Sequence, residues 1–170
     1  GCSACLFESV IGGEKVGRYS FLAAEPFILL ESNAGGVTVT RDKEVEQIAT
    51  TNPLEVLREC VQAIRVAKLP ELPPFIGGAV GYAGYDTVRY VENLPNAPTD
   101  DRNLPDLSFA FYDHMVVFDN VQKTVVVVVL AKVSDAKNTR SSLLAAYSDA
   151  SRRVDRLVER LDGDDPAVPG

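Results

Sequence analysis

The sequence predicts an α+β protein in which antiparallel β-sheets are packed with helices. Short β-rich segments bounded by glycine and proline dominate the first forty residues and return between residues 75 and 133. Two other stretches carry apolar residues at helical spacing. The strands are grouped rather than alternating regularly with helices, which argues against βαβ units. With 170 residues the chain is expected to form a single domain, residues 1–170, able to bury most of one core.

Ala4–Ile11, Gly17–Ala24, Phe27–Ser32 and Gly36–Thr40 read as strands of an antiparallel meander. Gly12-Gly13, Glu25-Pro26 and Gly35-Gly36 supply the breaks, since glycine reaches positive φ and proline fixes φ. Asn52-Pro53 then offers a cap and a proline at the first helical position, and Leu57, Cys60, Val61 and Ile64 recur at helical spacing, so a helix is expected over Pro53–Ala67. Leu69-Pro70-Glu71-Leu72-Pro73-Pro74 cannot continue it, because prolines remove amide donors and force extended backbone.

A further strand-like stretch covers Phe75–Tyr90, followed by a polar loop from Glu92 to Asp106. Leu107–Asp119 and Thr124–Val133 are β-rich runs joined by Asn120-Val121-Gln122-Lys123, a hairpin signal. Val125–Leu130 is apolar without alternation and is expected in a central strand buried on both faces. From Thr139 to Leu161, the residues Leu143, Leu144, Tyr147, Ala150, Val154, Leu157, Val158 and Leu161 mark one stripe of an amphipathic helix, roughly 34 Å long. Gly163 is its expected stop, and the tail Asp162–Gly170 is expected to fray.

The formal charge is −7, with basic residues scattered among acids, which argues against a nucleic-acid grip. No apolar run approaches the roughly 20 residues that span a bilayer, and neither a membrane association nor a signal peptide is indicated. A cytoplasmic location is expected. Three cysteines, Cys2, Cys5 and Cys60, fit a reducing compartment better than a disulfide scaffold. Cys2 and Cys5 have Cys-x-x-Cys spacing, but there is no second pair and the one histidine is His114, so a zinc or redox site is disfavoured. His114 lies in an apolar run with no nucleophile beside it, as a strand residue with an ordinary hydrogen bond would.

Two clusters are dense enough to carry chemistry. Gly77-Gly78-Ala79-Val80-Gly81-Tyr82-Ala83-Gly84 suggests a phosphate cradle, but its spacing matches neither Gly-x-Gly-x-x-Gly nor a P-loop. Close packing, with Gly78, Gly81 and Gly84 leaving room for a crossing element, is the better reading. The second cluster, Leu6-Phe7-Glu8-Ser9 followed by Gly17-Arg18-Tyr19-Ser20-Phe21, places carboxylate, hydroxyl and guanidinium groups on two strands joined by a glycine turn. Across such a ladder opposed β-carbons are about 5 Å apart. A carboxylate there can hold an ammonium, hydroxyls and amides can hold a carboxylate, and apolar neighbours can enclose a side chain, which suits a zwitterion. A Glu8–Arg18 ion pair that fixes strand register is the competing reading.

The segments Leu6–Ser9, Gly17–Phe21, Gly77–Tyr82 with Tyr85-Asp86, and Val116–Asp119 together resemble the N-terminal region of the anthranilate synthase component I family. The resemblance covers nearly the whole chain, its blocks in the expected order. It implies the N-terminal part of that family's α+β fold and, for the complete enzyme, a lyase that converts chorismate to anthranilate with ammonia from a glutamine amidotransferase subunit, in tryptophan biosynthesis. Magnesium and the catalytic residues belong to a C-terminal chorismate-binding domain expected to be absent here. Neither a catalytic residue nor a cofactor or metal is therefore assigned, and this fragment alone is expected to be inactive. By position, Phe7, Glu8 and Ser9 match the block lining the tryptophan feedback-inhibition site, and Arg18, Tyr19 and Ser20 match its opposite wall. Implied partners are the amidotransferase subunit, the chain's own catalytic domain and tryptophan, with a homodimer through uncovered sheet edges. The sibling para-aminobenzoate (aminodeoxychorismate) synthase component I, or a docking module for the amidotransferase, is the alternative.

Overall fold

The computed structural model describes residues 3–10, 16–33, 36–67, 69–96, 99–133 and 139–163. Among them are strands β1 (Ala4–Val10), β2 (Val16–Ala24), β3 (Ile28–Asn33), β4 (Gly36–Arg41), β5 (Glu44–Ile48), β6 (Gly78–Ala83), β7 (Leu107–Tyr112), β8 (His114–Asp119) and β9 (Thr124–Val129). Helices α1 (Pro53–Gln62) and α2 (Arg140–Asp162) and a 3-10 helix over Tyr85–Tyr90 complete them. The strands form two antiparallel sheets, ordered β5-β4-β3-β7-β6 and β1-β2-β8-β9. The mixture of helices and antiparallel sheets is the α+β class expected. The chain divides into two compact units, residues 1–5, 24–71 and 77–113, and residues 6–23, 72–76 and 114–170.

The first unit is built on the five-stranded sheet. In β3, Ile28, Leu30 and Ser32 are buried while Glu31 and Asn33 are exposed, the period-two pattern of a half-buried strand. Ile28 and Leu30 meet Val37, Val39, Leu107 and Phe111, and α1 contributes Val56 and Cys60 to the same core. Helix α1 starts at Pro53 as expected, with Glu55 beside the positive end of the helix dipole, but the expected cap is not made: the Asn52 side chain forms no capping hydrogen bond. The helix stops at Gln62 rather than Ala67, because the Ala63 amide bonds to Glu59 and the Ile64 amide to Val61, a tightening closure of the last turn.

The expected strand Phe75–Tyr90 is only β6, followed by the 3-10 helix. Gly84 precedes that helix, its carbonyl accepting the Thr87 hydroxyl at 2.7 Å and its amide donating to Asp106 at 2.8 Å. Gly81 is needed for close approach: a β-carbon there would overlap the Ser108 carbonyl oxygen and lie 2.7 Å from the Phe109 Cα. The close-packing reading of the glycine cluster holds at that position.

The second unit holds the four-stranded sheet. Strand β2 pairs with β8 from Tyr19↔Asp119 to Leu22↔Val116, and β8 with β9 from His114↔Val129 to Asp119↔Thr124. The β8–β9 hairpin is therefore present as expected. Met115, Val116 and Val117 of β8 are buried. Helix α2 packs against β9; it opens on a capping box between Thr139 and Ser142 and ends before Gly163.

Four expectations are corrected. The first four strands do not form one meander, because β2 pairs with β8 while β3 pairs with β4 and β7. The β-rich run Leu107–Asp119 is broken at Asp113 into β7 and β8, which belong to different sheets. Strand β9 ends at Val129 and is an edge strand, with Val125 54% exposed and Val128 its one buried residue. The apolar stripe of α2 is only partly covered: Ala150 is buried, but Leu144 is 57% and Tyr147 69% exposed. The Gly12-Gly13 turn, Gly35, Cys2 and the tail beyond Gly163 lie outside the described residues.

Candidate functional site

The six residues singled out from the sequence, Phe7, Glu8, Ser9, Arg18, Tyr19 and Ser20, all lie in the second unit, on adjacent strands β1 and β2. Leu6, Phe7 and Glu8 are exposed. Strand alternation sets Phe7 and Glu8 on opposite faces of β1, and Tyr19 opposite Ser20 on β2. The described side chains among the six therefore divide between two faces of the sheet.

Tyr19 belongs to a row of rings. Its centroid is 6.0 Å from that of Phe21, whose ring meets Phe75 edge-on at 5.8 Å, within the range in which aromatic pairs attract. The Arg18 guanidinium carbon lies 4.8 Å from the Tyr19 ring centre, a cation–π contact at one end of the row.

Arg18 is held there by a carboxylate 101 residues away in sequence. Its Nε and one terminal nitrogen donate to Oδ2 of Asp119 at 3.0 and 2.9 Å. The other Asp119 oxygen, Oδ1, accepts the amides of Val121 and Gln122 at 3.0 and 2.9 Å, the local bond that shapes the β8–β9 turn. The Asp119 side chain is only 7% exposed, whereas that of Arg18 is half exposed. The Arg18 hydrogen bond, with those from Gln122 and Val121, holds the Asp119 carboxyl below its usual range, and the same pair raises Arg18 further above its own. Asn120 completes the corner: its amide nitrogen bonds to the Arg18 carbonyl at 2.7 Å, and its side chain donates to the Gly17 carbonyl at 3.0 Å and the buried Ser20 hydroxyl at 3.2 Å.

The expected Glu8–Arg18 pair is corrected: the carboxylate that Arg18 meets is that of Asp119, so the ion pair joins β2 to β8 rather than to β1. Asp119 and Asn120 are the residues that sequence reasoning missed. Val116–Asp119 carried part of the family resemblance and Asn120 the hairpin signal, yet nothing local links either to Arg18. The corner offers an aromatic surface ending in an oriented guanidinium, with a half-exposed cation at the edge.

Other marked residues have structural surroundings. His114 Nδ1 lies 3.1 Å from an Arg153 guanidinium nitrogen, a contact between β8 and α2. Cys60 is buried with its sulfur 3.6 Å from an Arg41 nitrogen. Among the described residues no group of three or more His, Cys, Asp and Glu side chains is placed to hold a metal ion, and no helix is long and apolar enough to cross a membrane. In the first unit, Tyr90 donates to Asp106 Oδ2 at 2.5 Å and lies 3.4 Å from the fully buried Ser32 hydroxyl. Burial first, then the Asp106 bond, raises the Tyr90 phenol above its ordinary range.

The crystal structure of anthranilate synthase component I from Streptococcus pneumoniae superposes with a TM-score of 0.65 at 24% identity, over 93% of this chain and 32% of that one. The fold is accordingly one found within that synthase component. In sequence, the chain is 40% identical over 161 residues to anthranilate synthase component 1 of Acetivibrio thermocellus, covering 94% of this chain and 31% of that protein. It is 37% identical over 158 residues to the Synechocystis protein of the same name, covering 92% and 30%. The chain thus spans about a third of the length of these relatives. Residues 24–166 match the sequence profile of the chorismate binding enzymes, and the chain belongs to that family.

Proposed function

We propose that this chain is the N-terminal, effector-binding part of an anthranilate synthase component I. In this reading the complete enzyme converts chorismate to anthranilate, using ammonia from a glutamine amidotransferase subunit that docks on it, in the cytoplasm. Two relatives of that name, at 40% and 37% identity, support the enzyme. The corner on β2 supports the effector: tryptophan has an aromatic ring to lay against the Tyr19–Phe21–Phe75 row and a carboxylate to meet Arg18. That row ending in a guanidinium is the observation that carries the effector role. The adjacent strand β1, which carries Phe7, Glu8 and Ser9, supplies the second wall, with Glu8 as the partner for the ammonium. In this reading magnesium serves the chorismate chemistry of the complete enzyme.

The test uses the full polypeptide that carries this sequence. Supplied with chorismate, ammonia and magnesium, it is expected to release anthranilate and to be inhibited by tryptophan, with Ser9→Phe abolishing the inhibition. Release of 4-amino-4-deoxychorismate overturns the enzyme assignment; equal inhibition of the wild type and Ser9→Phe overturns the site. For the 170-residue chain, which contains no tryptophan of its own, the indole fluorescence of added tryptophan reports binding directly. The homodimer is read onto the edge strand β9, and a light-scattering mass of one chain excludes it.

A further inference from the structure

We infer that Asp119 is a positioning residue of the effector site, acting through Arg18 to present a pre-ordered guanidinium to the effector's carboxylate. The inference rests on the effector reading above. Three observations carry it. Both Arg18 contacts go to one oxygen, Asp119 Oδ2, which uses two of the five N–H donors of a guanidinium. The Arg18 side chain is half exposed while Asp119 is 7% exposed, so the carboxylate anchors the cation and the cation remains within reach of solvent. Asp119 is itself fixed from behind, because Oδ1 is occupied by the Val121 and Gln122 amides and the following Asn120 ties Gly17, Arg18 and Ser20 to the same turn.

An arginine held in this way has surrendered its rotamer freedom before a ligand arrives, and the ligand does not have to order it. The anchor also opposes the ligand, since its charge partly offsets that of Arg18. Orientation outweighs the offset if Asp119 is a positioning residue, and the charge offset wins if it serves only to hold strand register.

Asp119→Asn separates the two. Asparagine keeps Oδ1 as acceptor for the turn amides and replaces the oxygen that holds Arg18 with an NH2 group, so the turn is retained and the arginine released. In the full polypeptide, tryptophan inhibition is expected to weaken about fivefold to tenfold in Asp119→Asn, the loss when one long side chain must be ordered by the ligand, with kcat and the KM for chorismate unchanged. Arg18→Ala is expected to weaken it at least as much, and Asp119→Asn on the Arg18→Ala background to add less than about twofold, since a residue that acts only through a partner has no effect without it. Melting curves identify any variant that fails to fold, and Asp119→Ser, which retains a turn acceptor, then replaces Asp119→Asn.

Unchanged or tightened inhibition in Asp119→Asn overturns the inference while leaving the effector reading intact. A loss of the same size on both backgrounds also overturns it, because Asp119 then acts through the fold rather than through Arg18. A wild-type enzyme that tryptophan does not inhibit overturns the effector reading itself, and the inference with it.

Discussion

Asp119 carries its charge into the fold with three kinds of partner, a guanidinium, two turn amides and a paired strand, and this determines how the second unit responds to acid. Its folded-state pKa lies below the ordinary carboxyl value of 3.8. A depressed carboxyl contributes stability that is fully present above the unfolded-state pKa and is lost as pH falls through the folded-state value. The stability difference between wild type and Asp119→Asn is therefore expected to be constant above about pH 5 and to shrink below about pH 4. Denaturant titrations at several pH values measure it, and a difference independent of pH down to about 2 excludes the assignment. Tyr90 works in the opposite sense: its raised phenol favours the fold below the ordinary tyrosine range and loses that contribution as pH rises through the folded value. Tyr90→Phe removes the bond to Asp106 and a contact to buried Ser32, and is expected to cost about 1 kcal/mol at neutral pH, with one tyrosine that ionises above the ordinary range missing from an alkaline absorbance titration. That Glu8, Ser9, Arg18 and Tyr19 lie on neighbouring strands was legible because carboxylate, hydroxyl and guanidinium types cluster around a glycine turn in the sequence. Asp119 and Asn120 were not legible, because their link to Arg18 depends on β2 pairing with β8 a hundred residues away.

At the scale of elements, Gly81 gives the sharpest test. Gly81↔Phe109 is a paired position between β6 and β7, and any β-carbon on Gly81 runs into the Ser108 carbonyl. Backbone cannot move aside as a flexible side chain does, so Gly81→Ala is expected to destabilise the first unit by about 3 kcal/mol, the upper range for overpacking, and to speed amide exchange in β6 before β3 or β4. Unaltered β6 exchange contradicts the close packing. Helix starts and the β8–β9 hairpin were readable from local chemistry: Asn52-Pro53, and a turn that Asp119 closes on its own amides. Strand β5 was missed because Glu44, Glu46 and Gln47 look unlike a strand, although charges are what an exposed edge favours. Its hairpin uses Asp42 and Lys43 at φ 46° and 74°, positive values without the glycine that signals them. Strand β9 was misjudged for the converse reason: five consecutive valines suggest burial on both faces, whereas β9 lies at a sheet edge. Neither sheet membership nor the break at Asp113 is a local property, which is why one apparent meander is divided between two sheets.

At the scale of the molecule, all six proposed contact residues and both Asp119 and Asn120 lie in the second unit, while the glycine cluster, α1 and the Tyr90 bonds lie in the first. A ligand that binds the folded state but not an opened one stabilises it by about 2.7 kcal/mol at a hundred times its Kd. Amides that exchange only when the second unit opens are then expected to slow about a hundredfold in saturating tryptophan. The protection belongs on β1, β2 and β8, strands that are adjacent in one sheet and contain Glu8, Arg18 and Asp119. Amides of β3 and β4, which join the other sheet, are expected to keep their rates. Phenylalanine supplies a comparison: it offers the same carboxylate to Arg18 but a smaller ring to the Tyr19–Phe21–Phe75 row, so protection at equal concentration is expected to be weaker but distributed over the same strands. Exchange measured by mass spectrometry on peptides of each strand separates the cases. Protection centred on β3, β4 and α1 places the effector in the first unit and removes Arg18 and Asp119 from its recognition.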